Sequence, residues 1–444
     1  MTSQYPRPAP GLIVAAPSSG AGKTTVATAL MAAFTRRGLQ VAPAKVGPDY
    51  IDPRFHEAAT GRSSINLDGW AMRPDCLDGL VADRGGDADL VVVEGVMGLF
   101  DGAPTAGAVD DGSTAALARR TGWPVLLVVD AARQAGSVAA LVHGFRSFDP
   151  AVPVAGVILN RVGSDRHTGL LRHALAPLGL PVVGAVPRDA ATDRPSRHLG
   201  LVQAGEDPAL ADWLHRIVAL AETHVDLDGV RAIARPAQVG GACAPPLPPL
   251  GNRIAVARDE AFAFLYPHLL DGWRNAGATL TFFSPLADEP PAPDADAVFL
   301  PGGYPELHAG RLAAADRFRA GLRAAAGRGA WVHGECGGFM ALGDVLVDAD
   351  GTSHRMAGLL PLTTRFDARR LHLGYRLITT RTETPFGPVG TCLRGHEFHY
   401  STVGTEGAAD RPFEVEDAAG TVLGFQGLQR GRVLGSYLHL IDRT

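Results

Sequence analysis

The chain has 444 residues, 46% hydrophobic and 20% charged, with a formal net charge of −5. That length exceeds one ordinary core and predicts two or three domains, while the mild, evenly spread charge gives no reason to expect nucleic acid or an anionic membrane as a partner. No apolar run reaches membrane-spanning length, the opening MTSQYPRPAP lacks the apolar centre of a signal peptide, and four widely spaced cysteines suit a reducing compartment, so a cytoplasmic protein is expected.

The first predicted strand, GLIVAAP, runs into APSSGAGKTT, residues 16–25. Gly20, Ala21, Gly22, Lys23, Thr24 and Thr25 form the end of a phosphate-binding loop. The glycine expected six residues before Lys23 is replaced by Pro17, which fixes φ and lacks a donor. Backbone N–H groups of Gly20 to Lys23, aided by a helix N-terminus, can face phosphate oxygens. Lys23 would reach the outer phosphates and the Thr24 hydroxyl would ligate Mg²⁺. An ordinary glycine-rich turn is the plainer alternative. The strand before and the helix after, VATALMAAFTRRG, favour the phosphate reading. In that helix Val26, Leu30 and Phe34 share a face and Gly38 marks the stop.

Next come QVAPAKV and, beyond it, GPDYIDPRF, which together supply Lys45, Asp49 and Asp52. DLVVVEGV ends on Glu94, and Asp101 lies just past it. An acid at the carboxyl end of a buried parallel strand, beside a phosphate loop, suits a metal ligand. Taken singly, each acid is as readily a turn residue; with Thr24 they make a Mg²⁺ shell. PVLLVVD, VAGVILN (ending on Asn160) and PVVGAVP continue the pattern of strands covered on both faces. The Pro/Gly-rich stretch that follows cannot continue a helix or a central strand. It divides the chain into domains 1–235 and 252–444 with a linker at 236–251.

NRIAVARD, ATLTFFSP, ADAVFLPGG and GAWVHGEC repeat the α/β pattern after the linker, and LGYRLITT and LRGHEFHYST alternate as antiparallel strands do. HGECGGFM places Cys336 in a G-x-C-x-G turn between strand and helix, the setting of an exposed nucleophile. A helix N-terminus there would lower its thiol pKa. Gly337, and Gly303 of FLPGGYPE, are candidate backbone donors to an oxyanion. A lone cysteine is more often inert and buried, but the flanking glycines favour catalysis. His439 of GSYLHLI is the first candidate base. His396 and His399 are its rivals; read as alternating on one strand they could share a face and hold a metal, but packing or substrate contact outranks a metal pair.

SSGAGKTT, KVGPDYIDPRFH, VVVEGVMGLFDG, FLPGGYPE, HGECGGFM and GHEFHYS together resemble the cobyrinic acid a,c-diamide synthases of corrinoid biosynthesis, including the form that acts on hydrogenobyrinic acid. The resemblance runs along nearly the whole chain. It implies an N-terminal P-loop NTPase-type parallel-sheet domain similar to dethiobiotin synthetase, and a C-terminal class I glutamine amidotransferase-like α/β domain of the branch with a Cys–His pair and no third acid. Ile441 agrees, standing where the triad type carries Glu. His439 would then be oriented by packing or by a backbone carbonyl. The resemblance further implies that ATP activates the a and c acetate carboxylates of the corrin ring as acyl phosphates, and that Cys336 releases ammonia from glutamine with His439 as proton carrier. Asp49, Asp52, Glu94 and Asp101 match the family's acidic positions as Mg²⁺ or carboxylate-activation residues, Asp49 and Asp101 among the catalytic ones and Lys45 with Asp52 in substrate activation. Asn160 stands where similar folds read adenine.

Two alternatives stand beside this reading. A cobyric acid synthase-type enzyme would amidate other corrin side chains, but KVGPDYIDP favours the a,c enzyme. A partitioning-type ATPase switch would carry a signature lysine five residues before Lys23, and that place is Ser18. The cobalt-free or cobalt-containing state of the corrinoid is left open, with a lean to the cobalt-free form, and a homodimer is compatible with the sequence.

Overall fold

Six of the apolar runs read from the sequence become neighbouring parallel strands. They are β1 (Pro10–Ala15), β2 (Val41–Val46), β4 (Leu90–Glu94), β5 (Val125–Asp130), β6 (Val154–Val162) and β7 (Val182–Pro187). A seventh, β3 (Ile65–Leu67), is too short to read by periodicity. Their order is β3-β2-β4-β1-β5-β6-β7, and every residue of β2 and β4 is buried, as strands covered on both faces require. Chain order reverses around β1, so the loops after β1, β2 and β4 open into one crevice at the carboxyl ends of the strands. The computed structural model describes residues 9–192 and 203–444, and the backbone of 196–197 and 200–201. The opening MTSQYPRP, where no signal sequence is expected, lies outside them.

Helix α1 (Lys23–Arg36) starts from the phosphate loop and ends just before Gly38, which has φ 87°. The expected apolar face of Val26, Leu30 and Phe34 is buried, but so are nearly all the positions between them. The reason is cover from several sides: α1 packs on the sheet, on α2 (Asp52–Thr60) and on α3 (Leu210–His224), and its alanines permit the close approach. Among the described residues no helix is long and apolar enough to cross a membrane.

The chain falls into two units, one running to Trp70 and over Pro74–Cys243, the other comprising Ala71–Arg73 and Ala244–Thr444. The expected linker is more structured than its composition suggests. Arg235 and Pro236 pair antiparallel with Gly11 and Pro10, and Leu247 and Leu250 are buried. Proline tolerates such a place because the pairing covers only the end of the strand.

In the second unit, β8 (Arg253–Ala257), β9 (Thr279–Phe283), β10 (Ala297–Leu300) and β11 (Trp331–Glu335) form a parallel sheet in the order β9-β8-β10-β11. Helix α4 (Gly337–Leu342) follows β11 after a one-residue turn. The alternating runs form antiparallel strands as expected: β12 (His372–Thr380) pairs with β13 (Cys392–His399). The chain then adds β14 (Val433–Ser436), parallel to β11, and β15 (Leu438–Arg443), antiparallel to β13. The turn between β14 and β15 thus joins the two sheets and delivers His439 opposite His396.

Gly338 marks the tightest approach in this unit, since a Cβ on it would sit 1.9 Å from the carbonyl oxygen of Leu300. Gly338→Ala therefore forces backbone apart, and a loss of about 2–3 kcal/mol in the stability of the second unit is expected, measured as a lower urea midpoint.

Candidate functional site

The phosphate loop keeps its shape without the first glycine. Its left-handed positions are Gly20 (φ 81°) and Gly22 (φ 88°), so the fixed φ of Pro17 falls where no positive φ is needed. A Cβ on Gly22 would meet Asn160 Nδ2 at 2.2 Å. That amide nitrogen donates to the carbonyl of Ala21 at 2.9 Å, so Asn160 braces the loop as well as lining a cavity of about 340 Å³ beside Gly22 and Thr25. Arg161, in a left-handed conformation (φ 58°), donates to the Gly20 carbonyl and to Asp130 Oδ2. This second brace, on the wall of the same cavity, was not read from the sequence, where a lone Asp and Arg at strand ends give no signal.

Behind the loop lies a buried cluster of charges. Thr24 Oγ1 donates to Glu94 Oε1 at 2.6 Å and lies 3.4 Å from Asp52 Oδ2. Lys45 Nζ stands 2.6 Å from Asp52, 3.1 Å from Glu94 and 3.9 Å from Asp49. Burial opposes the Lys45 charge, but Asp52, Glu94 and Asp49 outweigh it and raise its pKa. Burial also opposes the Glu94 carboxylate; Lys45 and His56 outweigh that and hold it ionised. Asp52 moves the other way, pushed up by burial and by the charges of Asp49 and Glu94. Lys23 is lowered, by burial first and then by Lys45.

His56 completes the cluster, with Nε2 2.7 Å from Glu94 Oε2 and Nδ1 3.1 Å from Ser64 Oγ. The sequence reading passed over it, although Asp52 and His56 are four residues apart on one helix and must share a face. Asp49 Oδ1 accepts the N–H groups of Ile51 and Asp52, so one of its oxygens caps α2 while the other faces Lys45. Asp101 is held differently: its carboxylate accepts the Gly98 N–H at 2.8 Å, in a turn that abuts the Pro17 carbonyl.

In the second unit, Cys336 occupies φ 47° and ψ −104°, a strained conformation for a residue with a Cβ. Strand β11 delivers it and α4 leads away, as a nucleophile elbow requires. The expected lowering of its pKa does not occur. Helix α4 has only six residues, and burial, with the charges of Glu306 and Glu335, pushes the thiol up. His439 moves the other way: burial, with His396 and His399 nearby, drives its pKa well down and favours a neutral imidazole.

Gly302 brings the two together. A Cβ there would lie 2.5 Å from His439 Cε1 and 3.3 Å from Cys336 Cβ. The amide nitrogen of Gly303 stands 3.1 Å from the point where a Cβ on Gly337 would sit, so the two candidate oxyanion donors are neighbours. His396 and His399 do not act as a pair. Three residues apart on a strand, they point to different partners. His396 stacks on His439 (4.8 Å) and meets the Tyr266 hydroxyl, whereas His399 bonds Glu397 and stacks on Tyr437.

Comparison with known proteins assigns both units. Residues 12–202 match the family described as the CobQ/CobB/MinD/ParA nucleotide binding domain, and residues 253–443 the CobB/CobQ-like glutamine amidotransferase domain. A protein of Brucella anthropi is 54% identical over 437 residues, covering 97% of this chain and 98% of its own. One of Rhizobium meliloti is 55% identical over 433 residues (97% and 99%). Both carry the name hydrogenobyrinate a,c-diamide synthase.

Two outcomes are expected from these contacts. Lys45→Met leaves Asp52 and Glu94 buried without their cation, and should cost the first unit about 3–5 kcal/mol in urea unfolding. Gly302→Ala pushes a methyl group into His439 and Cys336, and should slow glutamate release from glutamine roughly hundredfold while leaving nucleotide binding unchanged.

Proposed function

Because the chain belongs to the hydrogenobyrinate a,c-diamide synthase family, we propose that it amidates the a and c acetate carboxylates of cobalt-free hydrogenobyrinic acid, using ATP and glutamine. The observation that carries the mechanism is that one chain holds both a phosphate loop backed by buried carboxylates and a strained cysteine beside a neutral histidine.

A carboxylate only exchanges a proton with ammonia, so it must first be activated. In the proposed reaction a carboxylate oxygen attacks the γ-phosphorus of ATP, ADP leaves, and an acyl phosphate forms. Ammonia then attacks the acyl carbon, inorganic phosphate departs with the C–O electron pair, and the nitrogen loses a proton to give the amide. Backbone N–H groups of Gly20 to Lys23 bind the phosphates, with Thr25 at the cavity wall. Lys23 and Lys45 supply positive charge where the transferred group gains negative charge. The donors Thr24, Glu94 and Asp49, with Asp52, offer only oxygen, which suits Mg²⁺. When bound, that ion would neutralise phosphate charge. Asn160, beside the cavity, contacts the nucleoside, and Asp101 orients the substrate carboxylate near the loop.

In the second unit Cys336 Sγ attacks the glutamine side-chain carbonyl. Its proton passes to His439 and from there to the leaving ammonia. The amides of Gly303 and Gly337 face the oxyanion, and water releases glutamate from the thioester. The amidotransferase domain sets this chain apart from a partitioning-type switch.

The test offers hydrogenobyrinic acid and cobyrinic acid separately, with ATP, Mg²⁺ and glutamine, and follows mass. Two carboxylates converted to amides, faster on the cobalt-free substrate, is the expected result. Cys336→Ala should lose the reaction with glutamine and keep it with ammonium. Hydrolysis of ATP with neither corrinoid amidated would defeat the substrate assignment.

A further inference from the structure

A histidine that shuttles a proton for a cysteine needs its ring held in one tautomer. Position 441, two residues past His439, carries no acid; Ile441 is buried and apolar. A carboxylate nevertheless reaches the ring from another strand. Glu335 Oε2 lies 4.0 Å from His439 Nδ1, with the two side chains 4% and 0% exposed. Its other oxygen accepts the backbone N–H of Leu440 at 3.2 Å and stands 3.3 Å from His333 Nε2. The same carboxylate is therefore fastened to the strand that carries the histidine. It also immediately precedes Cys336, so β11 delivers nucleophile and acid together while β15 delivers the base.

We propose that Glu335 is the positioning residue of this site, standing in for the absent third acid of the triad. Its carboxylate favours the tautomer with the proton on Nδ1, which leaves Nε2 to take the proton of Cys336. It also offsets the positive charge of the imidazolium formed at that moment. The rings packed on His439, those of His396 at 4.8 Å and Phe264 at 6.3 Å, cannot supply a countercharge. A separation of 4.0 Å is too long for a hydrogen bond, and such contacts tighten when the reacting complex forms. The x of G-x-C-x-G thereby acquires a role in the reaction.

This inference rests on Cys336 and His439 being nucleophile and base, and the experiment separates the two claims. Glu335→Gln keeps the size of the side chain and an oxygen for the Leu440 N–H but removes the charge. Its kcat with glutamine should fall, by up to about 10⁴-fold, the loss that neutralising the orienting acid of a Ser-His-Asp triad brings. KM for glutamine and the rate with ammonium should stay as in the parent. Glu335→Asp, charged but shorter, should recover part of the loss. A glutamine kcat within about twofold of the parent would overturn the proposal. So would a rise in KM alone, which would make Glu335 a substrate contact, or an Asp variant no better than the Gln variant, which would make its role one of packing. If Cys336→Ala or His439→Ala keeps glutamine-dependent activity, the nucleophile and base reading fails instead.

Discussion

The first unit depends on a lysine ammonium buried among carboxylates. Lys45 comes from the end of β2, Glu94 from the end of β4 and Asp52 from the first turn of α2. None of these charges is tolerable alone in a buried setting, since removing one partner of such a group strands the other. Each therefore fixes the others, and together they fix where three loops meet. Thr24, whose hydroxyl joins the same cluster, ties the phosphate loop to it. Loop position and charge arrangement are in this sense one constraint.

Asp52 is driven toward its protonated form by burial first and then by Asp49 and Glu94, while Glu94 stays ionised, so the carboxylates are held in unequal states. Oxygen donors gathered beside a glycine loop at a helix N-terminus are the kind of setting that suits a hard cation and phosphate.

The second unit solves a different problem. A thiol is more reactive as a thiolate, yet Cys336 is buried and its pKa is pushed up. Burial favours the neutral form of both the Cys336 thiol and the His439 imidazole, which lie on either side of Gly302. Such a pair demands close geometry, which explains the glycines. Gly302 and Gly338 stand where any side chain would press on His439 or on the Leu300 carbonyl. The strain at Cys336 is then sustained by packing around it.

Much of this was written locally. The phosphate loop, the six long parallel strands, the cysteine turn and the acids at strand ends are each set by a few consecutive residues, because period, glycine placement and apolar runs act over short range. The departure at Pro17 was also legible, and it falls where no positive φ is needed, because the left-handed positions are Gly20 and Gly22. What sequence could not supply is proximity between distant residues and burial. His56 on Glu94, Arg161 on the loop carbonyl and Glu335 beside His439 each join residues 38 to 141 positions apart. The thiol pKa was misjudged for the same reason: a helix start is visible in the residues, but the desolvation that outweighs it exists only after the chain has packed.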